Sequence, residues 1–555
     1  MVTSRVQRVY VSFQAIGFYG AKCGLSSSVY SLPENPFPMA TPVISMLMFR
    51  YVRTGQCARF AVNVRHRQLT TAAPQSDGVG SDGPTSNRND VKPFEDIPRS
   101  KSKLSTYIDL FRHGGLSRMD KYILWRRQTF GPIWREIFGI FDSVIVADPV
   151  AAEAVTRAEG KYPRRQPVEP WLLYRKLDGY SIGVFLAEGE EWQRHRTVLN
   201  KPLLRPKEVA SHTSTLNDVA DDLVAKIRRV HAKSDKTSLN DDVYRWSMEG
   251  IAATLFERRL GLLRDAVDPR SEEFIQAVKD FFKYTESLVY LPLKLQVKLN
   301  MPAWKGLRRA AKTLFDVTEF HMKETIASKG TGDGSREIIS YLYSTGKLSD
   351  GEILADATEL FSAAVDTTST TMIWVLDLLA WNEDVQQKLY QEISSVVPKG
   401  QEITQEHLRN LHYIKAVVRE SMRLYPVAPA SSRILASDVV LCGYHVPAET
   451  VVVVHTGLMS RDPELFEDPD KFLPERWMRS EQQIPRVNQY AAQPFAMGPR
   501  QCIGRRLAEL EMYLCIAKII QNFVLEPNND QPLQPRLRFL QIGDKPLRLK
   551  FHDRI

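Results

Sequence analysis

Cysteine is scarce in this chain of 555 residues: there are five, Cys23, Cys57, Cys442, Cys502 and Cys515, widely spaced and without a Cys-x-x-Cys pair. That scarcity speaks against a disulfide framework and against a cysteine-rich zinc site. Long apolar runs are missing as well. No stretch of 18 or more apolar residues occurs, so no transmembrane helix is expected, nor the N-terminal anchor of an endoplasmic-reticulum enzyme. Acids are nearly absent from one end: residues 1–76 hold eight basic residues and a single acid, Glu34, a net +7 out of +9 for the whole chain. The body left over is close to neutral, which removes the electrostatic footing of nucleic-acid binding. No internal repeat is found.

What is present starts with that leader. Rich in Arg and Ser, poor in acids and lacking a clean apolar segment, residues 1–76 read as a mitochondrial targeting presequence, with a disordered basic tail as the plainer alternative. Met39 and Met46 leave its true start open. The polar, Gly-, Ser- and Pro-rich stretch around 71–90 reads as linker, which gives a linker over 77–92 and one domain over 93–555. Beyond residue 100 the periodicity is mostly helical, as in 216–231 and 384–397, whereas strand-like runs are short, at 144–148 and 449–456. The expectation is mainly α with small β-sheets.

One helix stands out. Ser349 and Glu352 form a capping box, and helix-compatible sequence runs to about Trp381, roughly 50 Å at 1.5 Å per residue. Its middle, "FSAAVDTTSTT" (361–371), places an acid and several hydroxyls where an apolar face is expected. Threonines there bond back to the i−4 carbonyl and tend to bend a helix.

The second unusual stretch is "FAMGPRQCIGRRLAE" (495–509), a lone cysteine between two glycines and beside three arginines. No other cysteine, histidine or acid lies near enough for a zinc site or a catalytic pair. After Gly504, Leu507, Leu510, Leu514 and Ala517 recur at helical spacing, so Cys502 sits at or just before a first helical turn. Free backbone N–H groups at that place lower a thiol's pKa. Gly498 and Gly504 permit tight turns and the close approach of a flat partner, and Arg500 can reach an anionic group on it. A single thiolate ligand, room for a planar body and an arginine for a carboxylate together describe haem b with an axial cysteine. Taken alone, a lone cysteine is more often buried and inert; the setting favours the ligand.

Phe495, Gly498, Arg500, Cys502 and Gly504 spell FxxGxRxCxG, which resembles the haem-binding signature of the cytochrome P450 superfamily; Ala496 stands where members usually carry Gly or Ser. Further marks follow the family's order. "RESMRLYPVAP" (419–429) carries Glu420 and Arg423, and "FLPERW" (472–477) carries Arg476, which together match a structural Glu-Arg-Arg triad. In "EEWQRHR" (190–196), Trp192 and Arg196 match WxxxR, and Arg433 in "SSRIL" matches a further contact; the resemblance assigns these to the haem propionates. "AAVDTT" (363–368) resembles the oxygen-binding groove, with Thr367 beside the oxygen site, Asp366 relaying protons from solvent, and a local distortion of the helix making room. The implied fold buries haem between the long central helix and the Cys-loop helix.

The resemblance runs from about residue 93 to near 551 and looks greatest to vitamin D 24-hydroxylases and related sterol and steroid hydroxylases of the mitochondrial class. It implies a monooxygenase that takes O2 and electrons from NADPH through a flavoprotein reductase and an adrenodoxin-type ferredoxin to hydroxylate a lipophilic substrate. Lys415, Arg419, Arg505 and Arg506 match the ferredoxin-docking positions. Residues 288–304, apolar with interspersed lysines, match a membrane-dipping loop, so peripheral contact with the matrix side of the inner mitochondrial membrane is expected, with core packing between helices as the equal alternative for that stretch. Two rivals stay open. A haem-thiolate isomerase or dehydratase needs no ferredoxin surface, and a non-enzymatic haem sensor or carrier needs Cys502 but not Thr367.

Overall fold

The capping box forms as the sequence predicts. In the computed structural model, which describes residues 91–554 except 116–117, 139–140, 232–236, 265–266, 289–291, 330–337 and 479–486, Ser349 N donates to the Glu352 carboxylate at 2.8 Å and Glu352 N to Ser349 Oγ at 3.4 Å. Those bonds satisfy donors that the first helical turn would otherwise leave unpaired. The helix they start spans Asp350–Trp381, 32 residues. It runs unbroken through the threonine cluster, so the distortion expected there is not seen. The back-bonding itself is present: Thr367, Ser369 and Thr371 donate to the carbonyls of Ala363, Val365 and Thr367 at 2.7, 2.6 and 2.8 Å, and the helix continues through it without interruption.

Other helices pack around this one. Asn240–Leu255, Pro302–Lys329 and Tyr413–Leu424 lie against it, and Arg505–Asn522 packs against Thr213–Val230 and Glu383–Val396. The last two cover the helical runs anticipated at 216–231 and 384–397 to within a few residues. From Val365 to Ala380 the long helix is buried at almost every position, inside one large apolar core.

The strand-like runs also pair. Phe141–Val146 and Val451–Val454 are parallel neighbours, Val144 opposite Val452, in a four-stranded sheet whose edges are Ile133–Phe138 and Ser431–Ile434. Val144 and Val146 of the first, with Val452 and Val454 of the second, bury a second, smaller core with Leu435, Leu441 and Val446. Arg433, opposite Val452, is thereby fixed on a sheet edge. Three two-stranded sheets complete the β structure among the described residues. The architecture is mainly α with small β-sheets.

The presequence expected over 1–76 and the linker up to residue 90 lie outside the described residues. Lys92, at the end of the expected linker, already donates to Gly443 O at 3.0 Å. Among the described residues no helix is long and apolar enough to cross a membrane.

Candidate active site

Backbone geometry holds Cys502 in place. Cys502 N donates to Phe495 O at 2.9 Å and Gln501 N to Gly498 O at 3.1 Å, closing the loop on itself. Gly498 has φ +79°, and a Cβ there would lie 2.6 Å from a Glu159 carboxylate oxygen, so both the turn and the neighbour require glycine. Ala496 adopts φ 56°, a left-handed conformation that costs a side chain on the order of 1 kcal/mol. The loop ends at Gly504, which caps the helix Arg505–Asn522.

Burial pushes the Cys502 thiol up, more than the Gly504 N–H and the nearby guanidiniums of Arg196 and Arg165 pull it down. This corrects the expectation that the helix tip alone would favour a thiolate. A bound cation would supply the missing stabilisation. Protein surrounds the sulfur, yet Cys502 retains accessible surface, as a side chain facing an interior space does.

Around that sulfur gather more arginines than acids. Arg433 donates to Glu159 at 2.6 Å and to Met497 O at 3.1 Å. Arg500 donates to Pro163 O at 2.9 Å and Ala187 O at 2.7 Å, with its guanidinium 4.4 Å from the centre of the buried Trp192 ring. Arg196, only 8% exposed, donates to no acceptor among the described residues. Arg165, which the sequence reading did not single out, donates to Arg500 O. Burial, followed by repulsion from Arg433, Arg500 and Arg196, lowers Arg165 to about 9, and the same causes, with Glu188 opposing, bring Arg500 to about 10. Charge buried this way calls for an anion.

The donor set therefore fits haem: one accessible thiol for the iron, and arginines in excess for two carboxylates. Arg196 and Arg165 are the better placed to receive them. The expected propionate contacts Arg433 and Arg500 are largely taken up by Glu159 and by main-chain carbonyls, which gives those two a role in shaping the site.

On the long helix, Ala363 is exposed and Thr367, four residues on, is partly exposed, although the helix from Thr368 to Ala380 is buried. They form one stripe facing open space. Thr367 Oγ1 donates to Ala363 O, which leaves its lone pairs free to accept. Asp366 does not join it. It is 6% exposed and turned to the helix Asn240–Leu255, where Tyr244 Oη donates to its Oδ1. Burial raises the Asp366 carboxyl, with the Tyr244 bond and Lys279 opposing, and raises the Tyr244 hydroxyl well above the usual value. Lys279 Nζ lies 4.5 Å from the Tyr244 ring centre and 3.2 Å from Asp241.

The triad assembles fully. Arg423 donates to both Glu420 oxygens at 2.8 and 2.7 Å, and to the carbonyls of Ser460 and Pro469 at 2.6 and 2.7 Å. Arg476 Nε, Trp477 Nε1 and Leu473 N also donate to Glu420, at 3.2, 2.9 and 3.1 Å. All three triad members are buried.

Three of the four proposed docking residues meet on one surface. Arg505 pairs with Glu509 at 3.0 Å; Arg419 stacks on Trp477 at 3.9 Å and feels Arg505 and Glu509; Lys415 feels Glu509 and donates to Arg409 O at 3.3 Å. Arg506 is exposed and carries no partner among the described residues.

Arg165, Glu159 and Tyr244 were missed by the sequence reading. The adjacent arginines of "YPRR" were a faint signal for the first; nothing local marks the other two. Comparison with known proteins gives a family match to Cytochrome P450 over residues 98–551. "25-hydroxyvitamin D-1 alpha hydroxylase, mitochondrial" of Homo sapiens is 36% identical over 83% of this chain and 92% of its own length. "Cytochrome P450 10" of Lymnaea stagnalis is 34% identical over 88% and 90%. "Cholesterol side-chain cleavage enzyme, mitochondrial" of Oncorhynchus mykiss is 30% identical over 83% and 91%.

Proposed function

The chain belongs to the cytochrome P450 family, whose members are haem-thiolate monooxygenases, and from that premise we propose that it is a mitochondrial hydroxylase of a sterol, secosteroid or steroid. The observation that carries the reading is the excess of buried arginine around a single accessible thiol. When bound, haem supplies the activation of O2, by which one oxygen atom enters a C–H bond of the substrate and the other leaves as water.

This chain's residues do the rest. Cys502 would hold the iron; Arg196 and Arg165 would receive the carboxylates, and Trp192 braces Arg500 behind them. Thr367 presents an acceptor oxygen on the accessible stripe. Asp366, one residue away, accepts from Tyr244 on the side of the helix turned from that stripe, a proton store behind the site.

Relatives named as mitochondrial and as acting on 25-hydroxyvitamin D or cholesterol support the location and the substrate class. The acid-poor leader agrees with import as a cleaved presequence. Electrons would arrive from NADPH by a reductase and an adrenodoxin-type ferredoxin, for which Lys415, Arg419 and Arg505 offer a basic face, with the exposed Arg506 next to Arg505 in the chain. Two exposed apolar stripes suit peripheral contact with the matrix side of the inner membrane. Leu295 and Leu299 flank Lys294 and Lys298 within the expected 288–304 loop, of which 289–291 lie outside the described residues; Leu104, Ile108 and Phe111 line the helix Lys103–Arg112. Carbonate washing should release such a protein.

The test is a reconstituted assay with spectra. Wild type should give the carbon-monoxide difference band of sulfur ligation, and Cys502→Ala should lose it together with turnover. Titration with a panel of sterols, secosteroids and steroids should give a high-spin shift with one class. Turnover without ferredoxin would favour an isomerase or dehydratase, and haem binding without any turnover a carrier.

A further inference from the structure

On the face of the helix Gly189–Leu204 next to the one that carries Trp192 and Arg196, a second group of potential ligands converges. We propose that Glu191, His195 and Glu352 form a binding site for one divalent transition-metal cation of the zinc type, joining that helix to the start of the long helix Asp350–Trp381.

Spacing supplies the first argument. Glu191 and His195 are four apart on one helix and share a face. Across from them, Glu352 occupies the first turn of the long helix. One ligand atom from each of the three lies within 4.8 Å of the others.

The histidine supplies the second, independent argument. His195 is 0% exposed, and its Nδ1 lies 2.8 Å from Asp356 Oδ2. The other Asp356 oxygen accepts from Val184 N at 2.7 Å, so the carboxylate is itself held and fixes the ring. With Nδ1–H donating to Asp356, Nε2 is left as the acceptor, aimed at the cluster. It has no hydrogen-bond partner; the nearest carboxylate oxygen, Glu352 Oε1, is 3.6 Å away. Two ligands about 2 Å from a tetrahedral ion stand roughly 3.3 Å apart. A histidine oriented from behind by a carboxylate, with its second nitrogen free and acids in front, is the arrangement that zinc-binding histidines use. Imidazole with two carboxylates suits zinc, Glu191 is exposed and opens the path from solvent, and a fourth position remains for water.

One group competes. Arg194 donates to both Glu352 oxygens, at 3.1 Å to Oε2. It is 40% exposed on its side chain, so it can swing outward when a cation takes its place. The competing account of the cluster is a protonated His195 clamped between Asp356 and Glu352.

The experiment uses haem-loaded, chelator-treated protein titrated with zinc chloride, followed by calorimetry and by competition with a chromophoric chelator. One zinc per chain is expected, with micromolar or tighter affinity. Glu191→Gln, a surface change that leaves the fold alone, should weaken binding at least tenfold, and His195→Gln should remove saturable binding. Both should keep the carbon-monoxide band, since neither residue touches the Cys502 site. Arg194→Gln should tighten binding several-fold by freeing Glu352; unchanged affinity would count against Glu352 as a ligand. Absence of stoichiometric binding, or affinity indifferent to Glu191→Gln and His195→Gln, would overturn the proposal and leave His195 as a buried imidazolium.

Discussion

Tyr244 shows what a single hydroxyl can decide. Its bond to Asp366 favours the ionised carboxylate and so opposes the upward push of burial. Tyr244→Phe removes the donor and keeps the ring, so the Asp366 carboxyl should rise further. The infrared band of its protonated form should then persist to higher pH than in wild type. The acid limb of product formation should move up with it, and the ratio of peroxide released to product formed should increase severalfold. A variant with unchanged band and unchanged coupling would show that Tyr244 only packs. The pairing was illegible in the sequence because residues 244 and 366 meet only through the packing of two helices. Thr367 was legible, since its neighbours carry the motif, although its bond back to Ala363 is a local habit that any helical threonine can show. Cys502 was legible in identity and not in electrostatics: helix-tip N–H groups can be read from spacing, but the depth of burial that outweighs them cannot.

Among the structural elements, the segment around Glu420 shows why context governs an ion pair. Glu and Arg three apart on an exposed helix contribute a few tenths of a kcal/mol. Here the pair is buried, and a second arginine, an indole N–H and a backbone N–H converge on the same carboxylate. Glu420→Gln would leave Arg423 and Arg476 buried without a counter-charge. It should cost about 3–5 kcal/mol in denaturant unfolding and lower haem retention, because the segment Ser460–Trp477 is tied to Arg423 and Arg476 through main-chain carbonyls. A loss below about 1 kcal/mol would mean the carbonyls alone hold that segment. Elements with local signals were the readable ones. The capping box at Ser349 set the start of the long helix, and the valine runs marked both central strands. Their parallel pairing was not readable, because it joins segments some three hundred residues apart and depends on the core beneath them.

For the whole molecule, charge is distributed so that net charge says little about partners. Most of the +9 belongs to the leader, and the body must attract an acidic ferredoxin with a local patch. Arg505 is shared with Glu509 and Arg419 rests on Trp477, so the neighbouring Arg506, exposed and without a partner among the described residues, carries the most available charge. Arg506→Glu should raise the ferredoxin KM several-fold at 0.1 M ionic strength, where screening extends about 10 Å, and the difference from wild type should close toward 1 M, where it extends about 3 Å. Binding of the lipophilic substrate, read from the spin-state shift, should not move. Arg505→Glu should have a similar sign and, by repelling Glu509, a further cost in stability that Arg506→Glu lacks. If the loss in Arg506→Glu were the same at both ionic strengths, it would reflect a damaged contact near Cys502 and not the attraction of an acidic partner.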